Sequence, residues 1–193
     1  MKLSLGTFNK KLLSINEIIY FDQNDFLREK TNNPEMVREF IAEGEKLLAI
    51  TTSQDNKYFL NGTLGNLYRI YGLPKLACQH LSECLTFARV QGDMKKEIVS
   101  LIRIGEALKY DSKHEKALSM FDEALTKCIS NEEKNYLDFV LQHKGKCLME
   151  MNRYEEAGTC FEKALEIRKE KNNSELIDST QKGIDLINKL KTI

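Results

Sequence analysis

The side chains that could act as nucleophiles, acid–base groups or metal ligands are few in this sequence, and they are scattered. His80, His114 and His143 stand far apart along the chain, and the five cysteines, Cys78, Cys84, Cys128, Cys147 and Cys160, include no close CxxC pair. Zinc sites draw on such short spacings and disulfide frameworks on an even count, so this set reads as small buried apolar residues. Two carboxylate pairs, Glu132 with Glu133 and Glu155 with Glu156, fall at helix starts, where negative charge complements the helix dipole without any catalytic role. No phosphate-cradling glycine loop, HExxH, GxSxG or deaminase-type motif occurs. The expectation is a protein that is not an enzyme and uses no cofactor and no metal, which leaves recognition as its chemistry.

Bulk properties narrow the partner. The 29 basic and 29 acidic residues cancel to a formal net charge of zero, against generic binding to nucleic acid or an anionic membrane surface. No apolar run approaches the ~20 residues of a membrane helix, and the start, MKLSLGTFNKKLLS, breaks its apolar run too early for a signal peptide. With an odd cysteine count, a reducing, cytoplasmic location is expected. At 193 residues, 41% hydrophobic and 30% charged, the chain suits one folded domain.

Recognition residues need elements to hold them, and an internal repeat supplies these. At an offset of 40 residues, Gly65, Gly105 and Gly145 recur together with Ala77, Ala117 and Ala157, with Leu81, Phe121 and Phe161, and with the small residues Cys84, Ala124 and Ala164. Small residues on an inward face let helices approach, and the large ones fill the space between pairs. A unit of this kind cannot bury its apolar face alone, so units stack into a solenoid.

The residues Leu64, Gly65, Tyr68, Ala77, Leu81 and Cys84, their counterparts Ile104, Gly105, Leu108, Ala117, Phe121 and Ala124, and then Gly145, Leu148, Tyr154, Ala157, Phe161 and Ala164 resemble tetratricopeptide repeats over roughly Asp55 to Asn172. The chain departs from that family in having no Trp, no proline closing a unit, and a period of 40 where about 34 is usual. The longer spacing is similar to that of bacterial cytosolic peptide receptors and some eukaryotic adaptors of the family. The resemblance implies an all-α fold, a right-handed α-solenoid of about nine helices in antiparallel pairs, with no strands. Its parts are a divergent helix pair over 1–54, repeat units over 55–92, 93–131 and 132–172, and a capping helix over 173–193.

Local signals set the boundaries. Leu12, Leu13, Ile15, Ile18, Ile19, Phe26 and Leu27 form a helical stripe over Lys11 to Lys30, opened by a capping box at Ser14 and Glu17, and this helix is expected to close the open end of the stack. Asn33 before Pro34 starts the next, to about Ile50. Thr51 to Asn56 is a polar connection, and helices follow near Lys57–Tyr71, Pro74–Val90, Met94–Tyr110, Lys113–Ile129, Glu132–Met151, Arg153–Lys171 and Ser174–Lys191. Capping boxes are predicted at Ser112 with Glu115 and at Ser130 with Glu133, and the cations from Arg168 to Lys171 suit a helix C-terminus.

In the family the first helix of each pair lines a concave groove that accepts an extended peptide or a partner helix. Carried over, the groove presents Phe59, Asn66, Arg69 and Ile70 from the first full unit; Val99, Ile102, Arg103, Glu106, Lys109 and Tyr110 from the second; and Phe139, Gln142, His143, Lys146, Met149 and Glu150 from the third. Asn66 follows Gly65, where an Asn of the family often clamps a backbone amide. Arg69, Arg103, Lys109 and Lys146 outnumber Glu106 and Glu150, so a peptide with a few acidic groups and apolar anchors fits. The clamp for carboxylate tails is incomplete, because Glu106 and Lys146 stand where further Asn residues belong. The function implied is an adaptor or scaffold binding a protein or peptide segment, oriented by Asn66, Arg69, Arg103 and Lys146. Asn66 and Arg69 should then be replaceable without loss of stability, and Gly105 or Ala117 should not. Two alternatives stay open: a peptide sensor related to the bacterial receptors, and a self-associating homodimer that uses the Met1 to Lys30 segment.

Overall fold

The structure is a computed structural model that describes residues 4–131 and 133–192. Among these, nine α-helices follow in chain order: α1 (Leu5–Leu12), α2 (Pro34–Ile50), α3 (Gln54–Tyr71), α4 (Pro74–Gln91), α5 (Met94–Tyr110), α6 (His114–Ser130), α7 (Leu137–Glu150), α8 (Tyr154–Glu170) and α9 (Ser174–Leu190). Consecutive helices from α2 onward pack on one another as an α-solenoid.

One kind of turn reverses the chain five times. At Gly72, Gly92, Ser112, Asn152 and Asn172 the backbone is left-handed, with φ of 93°, 63°, 57°, 60° and 54°. The residue that follows each donates its N–H back into the helix: Leu73 to Tyr68, Asp93 to Ala88, Lys113 to Leu108, Arg153 to Leu148 and Asn173 to Arg168. This closure satisfies carbonyls the helix end would otherwise orphan. Gly and Asn tolerate the left-handed region best, and they hold four of the five positions. At the other ends, the side chains of Asn33, Ser53, Asp93 and Asn173 each accept an N–H from three residues on, so Asn33 with Pro34 starts α2 as expected.

The repeat's glycines do packing work. A Cβ added to Gly65 would stand 2.5 Å from Leu81 Cγ, one on Gly105 2.5 Å from a Phe121 ring carbon, and one on Gly145 2.9 Å from the Phe161 ring. Leu81, Phe121 and Phe161 are fully buried, as are Ala77, Ala117 and Ala157 beside them. Their rings and methyls therefore lie where a side chain on the facing helix would have to go. At the far end, Gly183 of α9 faces Phe161 from the other side, so α9 covers the last apolar face.

Three boundaries differ from expectation. Ser112 is the left-handed residue itself, and α6 starts at His114 with no side-chain cap. Ser130 ends α6 instead of capping its successor, and after a 3-10 turn at Lys134–Tyr136 helix α7 begins only at Leu137. The Glu132 start lies outside the described residues. Helix α3 begins at Gln54, inside the stretch read as a polar connection.

The larger correction is in the first segment, where Lys11 to Lys30 is not one helix. Helix α1 ends at Leu12, a 3-10 turn covers Leu13–Glu17, and β1 (Ile19–Asp22) pairs antiparallel with β2 (Arg28–Thr31), Ile19 opposite Thr31 and Asp22 opposite Arg28. Ser14 Oγ donates to the Lys11 carbonyl at 2.8 Å and caps nothing. Asp22 organises the reversal. Its Oδ1 accepts the Asn24 N–H at 2.9 Å and its carbonyl accepts the N–H of Asp25 and Leu27, while Lys30 Nζ bridges back to Asp22 and Asp25 at 2.8 and 2.9 Å. Phe26 and Leu27 close the turn in left-handed conformations, φ 51° and 57°. The open end of the stack is covered instead by α1, whose Phe8 is fully buried edge-on to Phe40 of α2. Among the described residues no helix is long and apolar enough to cross a membrane.

Candidate functional site

Helices α3, α5 and α7, the first helices of successive pairs, lie side by side as an inner row. Along this row the residues selected from the sequence fall into two halves. Arg69, Lys109, Tyr110, Lys146 and Glu150, near the helix C-termini, meet the β1–β2 hairpin. Asn66, Val99, Ile102, Arg103, Phe139 and His143, about a turn nearer the N-termini, line an open cleft of about 330 Å³, with Glu106 and Glu29 at the border between the halves.

In the covered half three consecutive hairpin residues are held by groups from three different helices. Lys146 Nζ donates to the Leu27 carbonyl at 3.2 Å and lies 4.7 Å over the Phe21 ring. The Arg28 guanidinium clasps Glu150 with two hydrogen bonds, at 3.0 and 2.5 Å, and donates to the Lys109 carbonyl at 3.3 Å. Glu29 receives Arg69, while its N–H donates to the Tyr110 hydroxyl at 2.6 Å and its carbonyl accepts that hydroxyl at 3.3 Å. Arg28 and Arg69 both stack on the Tyr110 ring. Main chain and side chain are read together.

Charges beneath the hairpin are mostly matched from within. Glu106 lies 3.2 Å from Lys109, 2.9 Å from His143 and 3.9 Å from Arg69; Glu150 lies 3.3 Å from Lys109 and 2.9 Å from His114. Burial works to raise both glutamates, but these neighbours, Lys109 foremost for Glu106 and Arg28 for Glu150, outweigh it and hold Glu106 well below and Glu150 below the usual carboxylate value. Burial likewise raises Glu29, and Arg69 more than offsets it. Lys146 is the exception. Burial, joined by the nearby charge of Lys109, pushes it down to about 8 despite Glu106 and Glu29. The expected basic excess of the groove therefore largely disappears: Lys109 serves Glu106 and Glu150, and Arg69 serves the chain's own Glu29.

Three residues assigned to the groove do not line the cleft. Gln142 is buried and turned toward α8, where its Oε1 accepts from Arg168 at 3.1 Å, and Met149 is fully buried in the core. Phe59 is exposed on α3 two turns before Asn66 on the same face, outside the lining of the cleft. Gln142 is held by Arg168, which stands in the last turn of α8 as expected but is buried. Arg168 turns inward and binds Asp138 at 2.9 Å, Thr180 Oγ1 at 2.6 Å and the Leu176 carbonyl at 3.0 Å, tying α7, α8 and α9 together. Ile70 faces a depression between the hairpin and the end of α3. Arg69 carries a further correction: buried and ion-paired, it cannot be removed without cost to the fold.

Sequence reasoning missed the hairpin's Leu27, Arg28 and Glu29, together with Tyr136, which lines the open cleft. The turn-forming run Asp22–Gln23–Asn24–Asp25 was the available signal. The residues with reactive potential serve structure: His80 shares a hydrogen bond of 2.8 Å with Asn61 and stacks on Tyr68. All five cysteines are free, four of them buried, and burial pushes the thiols of Cys84 and Cys147 up to about 12.

Comparison with known proteins places this architecture. Residues 140–171 match the tetratricopeptide repeat family. The fold is similar to that of apo RapI, with a TM-score of 0.69 at 13% identity over 96% of this chain and 62% of RapI. A Rap protein complexed with competence and sporulation factor aligns at a TM-score of 0.71 and 16% identity over 89% of this chain and 44% of that one. Bacillus thuringiensis PlcR, in complex with the peptide PapR7 and DNA, aligns at 0.55 and 20% identity over 70% and 52%. The chain thus spans less than two thirds of each of these structures. No curated protein matches the sequence. Residues 140–171 thus form a tetratricopeptide repeat, within a chain whose fold is that of a tetratricopeptide-like solenoid.

Proposed function

We propose that the inner row of α3, α5 and α7 binds an extended segment of another protein, and that the chain acts in the cytosol as an adaptor or peptide-responsive regulator without catalysis of its own. The observation that supports this reading above the others is that the extended strand β2 already lies on that row, held through its main chain at Glu29 and at the turn residue Leu27 before it, and through the side chains of Arg28 and Glu29. The open cleft continues the same surface. Asn66 offers it an amide donor and acceptor, Arg103 a cation, and Val99, Ile102 and Phe139 an apolar wall. Two of the similar structures were solved with a bound partner, a Rap protein with competence and sporulation factor and PlcR with the peptide PapR7, which favours the same use of the fold.

The test is a photo-crosslinking residue placed at Val99, in the cleft, or at Ile129, exposed on α6. Crosslinking of one identified partner from Val99 and not from Ile129 is the expected result. Capture from Ile129 alone would move the interaction to the outer surface.

A second reading, self-association, is favoured by one observation: Tyr20 and Phe21 of the hairpin and Leu13 before it are large apolar residues left exposed. It requires a concentration-dependent dimer in sedimentation that Phe21→Ser abolishes.

A further inference from the structure

The hairpin occupies half of the groove in the manner of a ligand, and three features show that its place is exchangeable. It has only two strands of four residues, a size with no independent stability, so its form depends on what it docks against. Its turn places Phe26 and Leu27, neither glycine nor asparagine, side by side in the left-handed region, a strained arrangement that persists only while surrounding contacts hold it. Two of its large apolar side chains, Tyr20 and Phe21, stay about half exposed.

The docking side specifies what could replace it. Without Arg28, Glu150 keeps Lys109 and His114 but loses its bidentate partner. Without Glu29, Arg69 keeps only the more distant Glu106 at 3.9 Å, and the Tyr110 hydroxyl loses both main-chain contacts. Without the Leu27 carbonyl, buried Lys146 has no hydrogen-bond acceptor. The emptied half therefore asks for an extended backbone that brings a carbonyl to Lys146, then a guanidinium to Glu150, then a carboxylate to Arg69, in that order.

The geometry points to the β1–β2 hairpin being a resident occupant of the groove, displaced by a partner segment that carries an arginine followed directly by an acidic residue in extended conformation. This rests on the peptide-binding reading above and names its ligand. The segment enters from the open cleft, engages Asn66 and Arg103, and takes the places of Leu27, Arg28 and Glu29, while the hairpin swings out between its flanking residues Ile18 and Asn32. Binding is then a competition between an internal strand at high effective concentration and an external one, and weakening the internal strand strengthens the external.

The probe is a fluorescent, end-blocked peptide copying residues 18–32, measured by anisotropy against the full chain and against the full chain with Arg28→Ala and Glu29→Ala together, its helical fold verified by circular dichroism. At least tenfold tighter binding to the double variant than to wild type is expected, lost when Lys146→Met and Tyr110→Phe are added to the chain, and lost when the two charges of the peptide are exchanged by Arg28→Glu with Glu29→Arg. To cover a peptide that binds too weakly alone, amide hydrogen exchange of residues 18–32 is followed in wild type as the partner captured through Val99 is titrated; faster exchange is expected. Equal peptide binding to wild type and double variant, or to either peptide order, together with unaltered exchange on partner binding, overturns the proposal. If Asn66→Ala with Arg103→Ala abolishes partner capture in that case, the peptide-binding reading survives and the resident-occupant inference alone falls.

Discussion

The two halves of the inner row are built on the same three helices, yet one is filled and the other open. In the filled half, Arg69, Lys109, Lys146, Glu106 and Glu150 are buried charges, each held by neighbours on adjacent helices or by the hairpin. In the open half, Asn66 and Arg103 keep water on at least one side. Groups of the first kind cost the fold when removed, because a charge left buried without its partner is worth far more than the pair ever contributed. Groups of the second kind can be removed at little cost and are free to spend their hydrogen bonds on a ligand. Recognition and stability are thus separable along one surface, a turn of helix apart.

The largest expected break in this comparison is Glu150→Ala. It strips Arg28 of its carboxylate and leaves Lys109 sharing Glu106 alone, so a loss of about 3–5 kcal/mol is expected in urea unfolding. Gly105→Ala follows. It touches neither half directly, but its Cβ meets the Phe121 ring at 2.5 Å, and about 1–3 kcal/mol should be lost even after the gain in helix propensity. Tyr110→Phe is smaller. It leaves the Glu29 N–H without its acceptor, about 1 kcal/mol, read as faster amide exchange confined to residues 27–31. Asn66→Ala with Arg103→Ala sharpens the contrast: stability within about 0.5 kcal/mol of wild type, but partner affinity weakened by ~1–3 kcal/mol in a titration.

Acid gives a graded version of the same contrast. Glu29, faced by Arg69, Tyr110, Glu106 and Lys146, has its docked carboxyl below the usual 4.5, so docking is at full strength above 4.5 and fades as pH falls through the docked value. The protection factors of the hairpin amides, exchange rates taken relative to the intrinsic rate at each pH, should therefore fall below 4.5 while the Gly105–Phe121 spine stays protected. Lys146 works in the opposite sense. Its buried pKa of about 8 lies under the ordinary 10.5, so its charge opposes folding below 8, and stability should rise modestly between about 8 and 10.5.

The spine was readable because it depends on residue size at fixed spacing: Gly65 with Leu81, Gly105 with Phe121 and Gly145 with Phe161 state both the contact and its reason in the sequence. The hairpin was not. Leu12, Ile15, Ile18, Ile19, Phe26 and Leu27 mimic a helical stripe, while β2 consists of Arg28, Glu29, Lys30 and Thr31, with no apolar alternation to mark it. What makes it a strand is Glu150, 122 residues away from Arg28, together with Arg69 and Tyr110. The groove residues could be placed from the repeat register, but which charges were already committed depended on those same distant pairings. Gln142 shows the limit plainly: its register faces it toward a ligand, and Arg168 from the next helix claims it.

The most direct measurement is capture of the partner from a lysate of the source cells by three chains side by side: wild type, Asn66→Ala with Arg103→Ala, and Arg28→Ala with Glu29→Ala, each verified as folded, with retained proteins identified by mass spectrometry. One protein lost from the cleft variant and enriched on the hairpin variant is the predicted result. The same proteins in the same amounts on all three would contradict both the binding role of the row and the competition for it.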